Sequence, residues 1–210
     1  MSIDTSMITE ERAEKLKVLA ANRQPDLTVI LENIYDPHNL GAVLRSCDSV
    51  GISEVYALYT IESADILDKI AGHKSSSGAK KWVDVLVYDN AEECFAAVRK
   101  KYERIFGTHL GVDSIGLYDL DLSQSMALVF GNEHRGMSEE ALRLVDGNYI
   151  IPQSGLTKSL NISVACAVSL YEAKRQRLVK GMYGRLFDET NANHLSLFEK
   201  YVENSKPRKD

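Results

Sequence analysis

A chain of 210 residues with 44% hydrophobic and 26% charged residues is long enough for one well-buried domain with short appendages. Its net charge of −5 gives no general affinity for nucleic acid, and no apolar run is long enough to span a membrane. The polar start, MSIDTSMITEERAEKLK, has no apolar signal core, so a cytoplasmic protein is expected.

Residues 9–22 read as a helix, with Thr9 as cap, Glu10 and Glu11 at its positive end, and Pro25 beyond its stop. LTVILEN (27–33) is a β-branched run expected to be a buried strand. From there the chain alternates. A helix is expected from Gly41 to Val50, stopped by Gly51, then a strand at 54–58 and a helix at 63–71. A strand at 82–88 precedes an amphipathic helix at 91–102 and a strand at 104–110 running into a loop. A strand at 126–131, a short helix capped by Ser138, and a short strand at 148–152 follow. A loop containing Gly155 then leads into a long helix, 160–178, with Ser159 as its cap. This alternation implies an α/β domain with a largely parallel, doubly wound sheet and ligands at the carboxyl ends of its strands. The expected organisation is an N-terminal helical arm (1–26), a catalytic domain (27–178) and a helical extension (179–210). The extension has its own apolar set, Leu186, Phe187, Leu195, Leu197, Phe198 and Tyr201.

Several chemistries are excluded by what is missing. Cys47, Cys94 and Cys166 are odd in number and form no C-x-x-C pair, which argues for buried thiols rather than disulfides or zinc. The histidines at 38, 73, 109, 134 and 194 show no metal-ligand spacing, so no metal is expected. No G-x-G-x-x-G, Walker-type or G-x-S-x-G motif follows a strand. Basic residues gather locally at Arg12, Lys15, Lys17 and Arg23, at Lys174, Arg175, Arg177, Lys180 and Arg185, and at Lys206, Arg208 and Lys209. On charge alone these are solvated helix faces.

Three segments, each where a strand gives way to a loop, carry the chemistry. Residues 33–45 contain Asn33, Asp36-Pro37, Asn39, Gly41 and Arg45, and an arginine among Leu44, Ser46 and Cys47 is unusual on a helix that faces a core. In residues 128–138 a strand ends in Gly131 and presents Asn132, Glu133, His134 and Arg135 before Gly136. A capped βα loop explains Gly136 and Ser138 but leaves Asn132 and Glu133 without a reason. Residues 150–165 place Pro152, Gln153, Gly155, Ser159, Asn161 and Ser163 around the start of the long helix, where polar residues suit an apolar face poorly.

Together these segments resemble the SpoU group of the SPOUT methyltransferases. N-x-x-D-P-x-N-x-G-x-x-x-R matches 33–45, L-V-F-G-x-E-x-x-G matches 128–136, and I-P-x-x-G-x-x-x-S-L-N-x-S-x-A matches 151–165. RQPDLTV (23–29) and YEAKRQR (171–177) with Gly181-Met182-Tyr183 resemble the TrmH branch in particular. The resemblance implies a mainly parallel sheet with a C-terminal deep trefoil knot, which general topology rules would reject. It implies a homodimer that transfers the methyl of S-adenosyl-L-methionine to a ribose 2′-oxygen of tRNA, at the D-loop guanosine at position 18. Ribosomal RNA, another tRNA position, or a catalytically silent RNA-binding role are its alternatives. By resemblance, Thr108, His109, Gly131, Ile151, Gln153 and Leu160 hold the cofactor. Arg45 is the leading catalytic residue, with Asn39, Glu133, Ser159 and Asn161 around it. Gln153 stands where the family usually has Met. Arg12, Arg23, Lys174, Arg175, Arg177 and Lys180 are then candidates for gripping the RNA backbone.

Overall fold

Every residue of β1 (Leu27–Glu32) is buried, as a strand covered on both faces of a parallel sheet must be. The computed structural model describes residues 3–61, 79–157 and 159–206; the helix expected at 63–71 lies outside them. The chain divides into two compact units, Gln24–Lys180 and the paired segments Met1–Arg23 and Gly181–Asp210.

In the larger unit β1 is joined by β2 (Glu54–Leu58), β3 (Asp84–Tyr88), β4 (Arg104–Thr108), β5 (Ile115–Gly116), β6 (Met126–Phe130) and β7 (Gly147–Ile150). They form a seven-stranded sheet in the order β3-β2-β1-β6-β4-β7-β5, and every neighbouring pair is parallel. Side chains sort by strand alternation. Val29 and Leu31 of β1 join Leu128 and Phe130 of β6 in a core with Val43, Leu44 and Cys166. Ile30, Ala127 and Val129 point the other way, into a core with Cys94, Phe95 and Ala141. The helices α2 (Pro37–Ser49) and α5 (Ile162–Val179) supply the first core, and α3 (Ala91–Arg99) and α4 (Glu139–Leu144) the second. All three cysteines are free and buried, and burial pushes the Cys94 thiol up to about 12.

The strand order reverses direction at β1. The chain first moves outward through β2 and β3, and β6 later enters on the other side of β1. Such a reversal opens a crevice at the carboxyl ends of the central strands. The loops after β1, β4, β6 and β7 all leave from that edge.

Several boundaries differ from those expected from the sequence. α2 begins at Pro37 rather than Gly41, because Asp36 accepts from the His38 amide as cap and Pro37 sits at the first helical position. Arg45 therefore lies two turns into α2. α5 is capped by Asn161, which accepts from the Ser163 amide, so Ser159 stands outside the helix. β5 is an addition to the expected strands, because two residues paired only with β7 carry no periodic signal. Trp82 and Val83 belong to no strand; their amides donate to Ala79 in a 3₁₀ turn over Ala79–Lys81.

In the smaller unit α1 (Glu10–Ala21) packs on α6 (Ala192–Ser205). Thr9 caps α1 by accepting from the Arg12 amide, and Phe198 and Tyr201 are buried. Leu186, expected in the apolar set of the extension, is exposed.

Candidate functional site

At the end of β1 the chain turns through Asn33, a non-glycine residue at φ 54. Asparagine is among the few non-glycine residues that adopt this left-handed conformation readily. Here the Asn33 Oδ1 accepts from the Thr60 amide at 2.9 Å, and its Nδ2 donates to the Thr60 hydroxyl at 3.1 Å. The turn delivers the chain to the Asp36 cap and places Asn39 in the first turn of α2.

The loop after β6 folds back on itself. A Cβ at Gly131 would collide with the Gly136 carbonyl carbon and the Met137 nitrogen, so only glycine fits. The approaching backbone is the protein's own, whereas the Cβ site of Gly155 meets nothing nearer than Thr157 Oγ1 at 3.8 Å. Asn132 and Gly136 exchange backbone hydrogen bonds of 2.9 and 2.8 Å. Gly136 takes φ 69, and Ser138 caps α4 by accepting from the Ala141 amide.

The loop after β7 runs to Asn161 and α5. Glu133 Oε1 accepts from Asn39 Nδ2 at 2.8 Å, and Asn39 Oδ1 accepts from Asn161 Nδ2 at 3.1 Å. Asn161 Oδ1 accepts in turn from the Ser163 amide at 2.9 Å and the Ser163 hydroxyl at 2.6 Å. One chain of hydrogen bonds therefore ties together the three segments singled out in the sequence. Each amide has its carbonyl and amino ends assigned by its neighbours, because a carboxylate only accepts.

Beside this chain lies a cavity of about 440 Å³, within the range of small-molecule sites. Thr108, His109, Gly131, Ile151, Gln153 and Leu160, the residues expected to hold a cofactor, all line it, and so do Glu133 and Ser159. Phe130, Tyr149 and Ile162 add apolar wall that the sequence left unassigned. Asn39 and Asn161 reach the site through Glu133. Arg45 is exposed on α2 and does not line this cavity. Among the described residues no cluster of His, Cys, Asp or Glu is arranged to hold a metal, and no helix is long and apolar enough to cross a membrane.

The basic candidates divide. Arg12, Arg175 and Lys180 are exposed. Arg175 pairs with Glu172 at 2.8 Å. Lys174 is half-buried, donating to the Ser49 carbonyl at 3.1 Å. Two expectations are corrected. Arg177 is fully buried, donating to Asp26, Gln24 and the carbonyls of Leu122 and Gln124. Arg23 is 3% exposed and donates to the Tyr201 hydroxyl at 2.7 Å, with its guanidinium over the Tyr201 ring. Both arginines are held by their own unit and present no face to a phosphate.

The family described as SpoU rRNA Methylase matches residues 26–171. A tRNA (guanosine(18)-2′-O)-methyltransferase of Thermus thermophilus is 41% identical over 177 residues, 84% of this chain and 89% of its own. The crystal structure of the Aquifex aeolicus TrmH/SpoU tRNA modifying enzyme superposes with a TM-score of 0.79 at 32% identity, covering 95% of this chain and 98% of that one. The SpoU methyltransferase AviRb of Streptomyces viridochromogenes, in complex with the cofactor AdoMet, superposes with a TM-score of 0.64 at 26% identity, covering 75% of this chain and 62% of that one.

Proposed function

The chain belongs to the SpoU rRNA methylase family, and from that premise we propose that it transfers the methyl group of S-adenosyl-L-methionine to the ribose 2′-oxygen of the D-loop guanosine at position 18 of tRNA. The observation that carries this reading is the placement of all the expected cofactor residues around one cavity, with the Glu133–Asn39–Asn161 chain at its rim. The likeness to a tRNA (guanosine(18)-2′-O)-methyltransferase over 84% of the chain supports the substrate.

The cavity suits the cofactor in kind. Apolar side chains such as Ile151, Leu160 and Phe130 offer a wall for an adenine, and the backbone at 131–136 and 150–153 offers polar groups. The bound cofactor supplies an electrophilic methyl on a sulfonium; the chain must orient the ribose and manage one proton. Glu133 holds Asn39, and Asn39 holds Asn161, so these amides stand in fixed orientations beside the site. Arg45 is assigned to the 2′-oxygen. As a cation, the guanidinium stabilises a developing alkoxide, while the proton leaves through water or phosphate.

A homodimer is part of this proposal. Leu160, just before α5, and Val164, Tyr171 and Leu178 along it are 37%, 46%, 51% and 54% exposed. The seven-residue spacing of the last three puts them on one face of the helix. An apolar stripe of this kind suits a second copy. Arg45, which lines no part of its own chain's cavity, then acts near the subunit interface. Arg12, Lys174, Arg175 and Lys180 remain the candidates for tRNA phosphates. The strand order, with β6 inserted between β1 and β4 and β7 between β4 and β5, supports the knotted C-terminal arrangement.

The test is transfer of labelled methyl from the cofactor to unmodified tRNA transcripts, with the modified nucleotide mapped and a transcript lacking guanosine-18 as control. Label on the guanosine-18 ribose, lost in the control, is expected. Label at another tRNA position, or label that survives in the control, overturns the substrate.

A further inference from the structure

Asn132 helps to line the cavity, and both ends of its side-chain amide are taken up by the chain's own backbone. Its Nδ2 donates to the Asn33 carbonyl at 2.8 Å, and its Oδ1 accepts from the amides of His134 at 2.9 Å and Arg135 at 3.2 Å. Its own backbone forms the bridge to Gly136. The bonds from the two amides make an Asx turn around Glu133, and the bond to Asn33 ties that turn to the end of β1. Asn33 is itself held by Thr60 in a left-handed conformation. The neighbouring residue Glu32 accepts from the Ser138 amide at 3.1 Å, so consecutive residues of the β1 terminus grip both ends of the 132–138 loop. Glu133 is exposed, and its bond to Asn39 is its link into the network. The backbone on either side of Glu133 therefore fixes where its side chain starts, and the bond to Asn39 fixes the carboxylate at its end. The family pattern leaves position 132 open, so the resemblance assigns this residue nothing.

We infer that Asn132 is a positioning residue for methyl transfer, acting through Glu133 by fixing the turn that carries it. This inference rests on the proposed methyltransferase reading. A carboxylate displaced by about 1 Å loses alignment worth up to 10²-fold in rate, and one removed anchor among several is expected to give about 10-fold. Asn132→Ala removes all three side-chain bonds. Asn132→Asp keeps the acceptor for His134 and Arg135 but sets a carboxylate oxygen against the Asn33 carbonyl.

The experiment measures single-turnover methyl transfer to a tRNA transcript by the full-length chain, alone and in a Glu133→Ala background. Asn132→Ala is expected to slow the step about 10-fold with tRNA affinity unchanged, and to slow Glu133→Ala no further. Asn132→Asp is expected to fall between wild type and Asn132→Ala. A wild-type rate for Asn132→Ala, or a full additional loss on top of Glu133→Ala, overturns the inference, since a general weakening of the fold adds to any other defect. Amide hydrogen exchange at His134 and Arg135 is followed in the same variants without substrate. Faster exchange in Asn132→Ala and near-wild-type exchange in Asn132→Asp are expected; unchanged exchange in Asn132→Ala overturns the anchoring. A wild-type chain that methylates no tRNA overturns the methyltransferase reading instead, while the exchange result still decides whether Asn132 holds the turn.

Discussion

Replacing Arg177 by alanine separates a structural arginine from an RNA-binding one. The guanidinium is fully buried and spends its whole donor fork inside the larger unit. Nε donates to Leu122 O at 3.0 Å, Nη1 to Gln24 Oε1 at 3.1 Å and Asp26 Oδ1 at 2.5 Å, and Nη2 to Asp26 O at 3.2 Å and Gln124 O at 2.8 Å. Summing bonds to a charged donor at about 1.5–3 kcal/mol each would rival the stability of the whole domain, so simple addition overshoots. Removing one partner of a buried pair costs about 3–5 kcal/mol because buried acceptors lose their donor, a loss that Asp26, 34% exposed, limits by recovering part of its solvation. That loss corresponds to a fall in Tm of roughly 6–20 °C for a domain of this size. Arg177→Lys is expected to recover little of it, since an ammonium cannot reproduce the planar fork. Thermal and urea unfolding, read beside tRNA binding over a salt series, is the assay. A change of less than about 2 °C in Tm, with weaker tRNA binding and a shallower salt slope, would refute the structural role and return Arg177 to the RNA surface.

Arg45→Ala is expected to reduce turnover by at least about 10²-fold while cofactor affinity, measured by equilibrium dialysis, stays near wild type. Gly131→Ala is expected to lower cofactor affinity and to destabilise by about 1–3 kcal/mol, read by calorimetry and urea unfolding, because the new Cβ meets the backbone of Gly136 and Met137. Neutralising Arg175 and Lys180 should weaken tRNA binding, with the log–log salt slope shallower by about 1 for each phosphate left without its cation. Glu54 is a test of acid stability. Burial raises its pKa, but hydrogen bonds from Lys101, Tyr56 and Tyr102 outweigh this and hold it below its ordinary value of 4.5. A depressed folded pKa contributes stability that is present above the unfolded value and lost as pH falls through the folded one. Glu54→Gln should therefore cost stability at neutral pH and flatten the acid limb below about pH 5, followed by urea midpoints across pH.

The parallel sheet is legible because its central strands are buried on both faces and read as uninterrupted apolar runs. β1 and β6 fall where LTVILEN and MALVFG stand. The edges are harder. β5 is paired on one side only, and a two-residue strand has no period to detect. The start of α2 is displaced from its expected place because Asp-Pro reads as a turn. The same pair is a good helix start when Asp caps and Pro takes the first helical position.

The site is legible to a different depth for each kind of residue. Glu133 and Asn132 stand out as polar residues that a capped loop does not require, and the structure gives each a reason. One joins the chain through Asn39 to Asn161, and the other builds the turn that presents it. The arginines show the limit. Arg175 and Arg177 sit two positions apart in one basic helix end and read identically as charge. Two residues of α5 amount to about 200° of rotation, enough to carry one guanidinium toward solvent and the other into the core. The distinguishing signal lies far away in sequence, in Gln24 and Asp26 of the RQPD segment. There an amide and a carboxylate stand beside the first strand with no helix of their own to cap. A buried arginine is announced by the acceptors waiting for it, and those acceptors acquire meaning only once the sheet has brought residue 26 against residue 177.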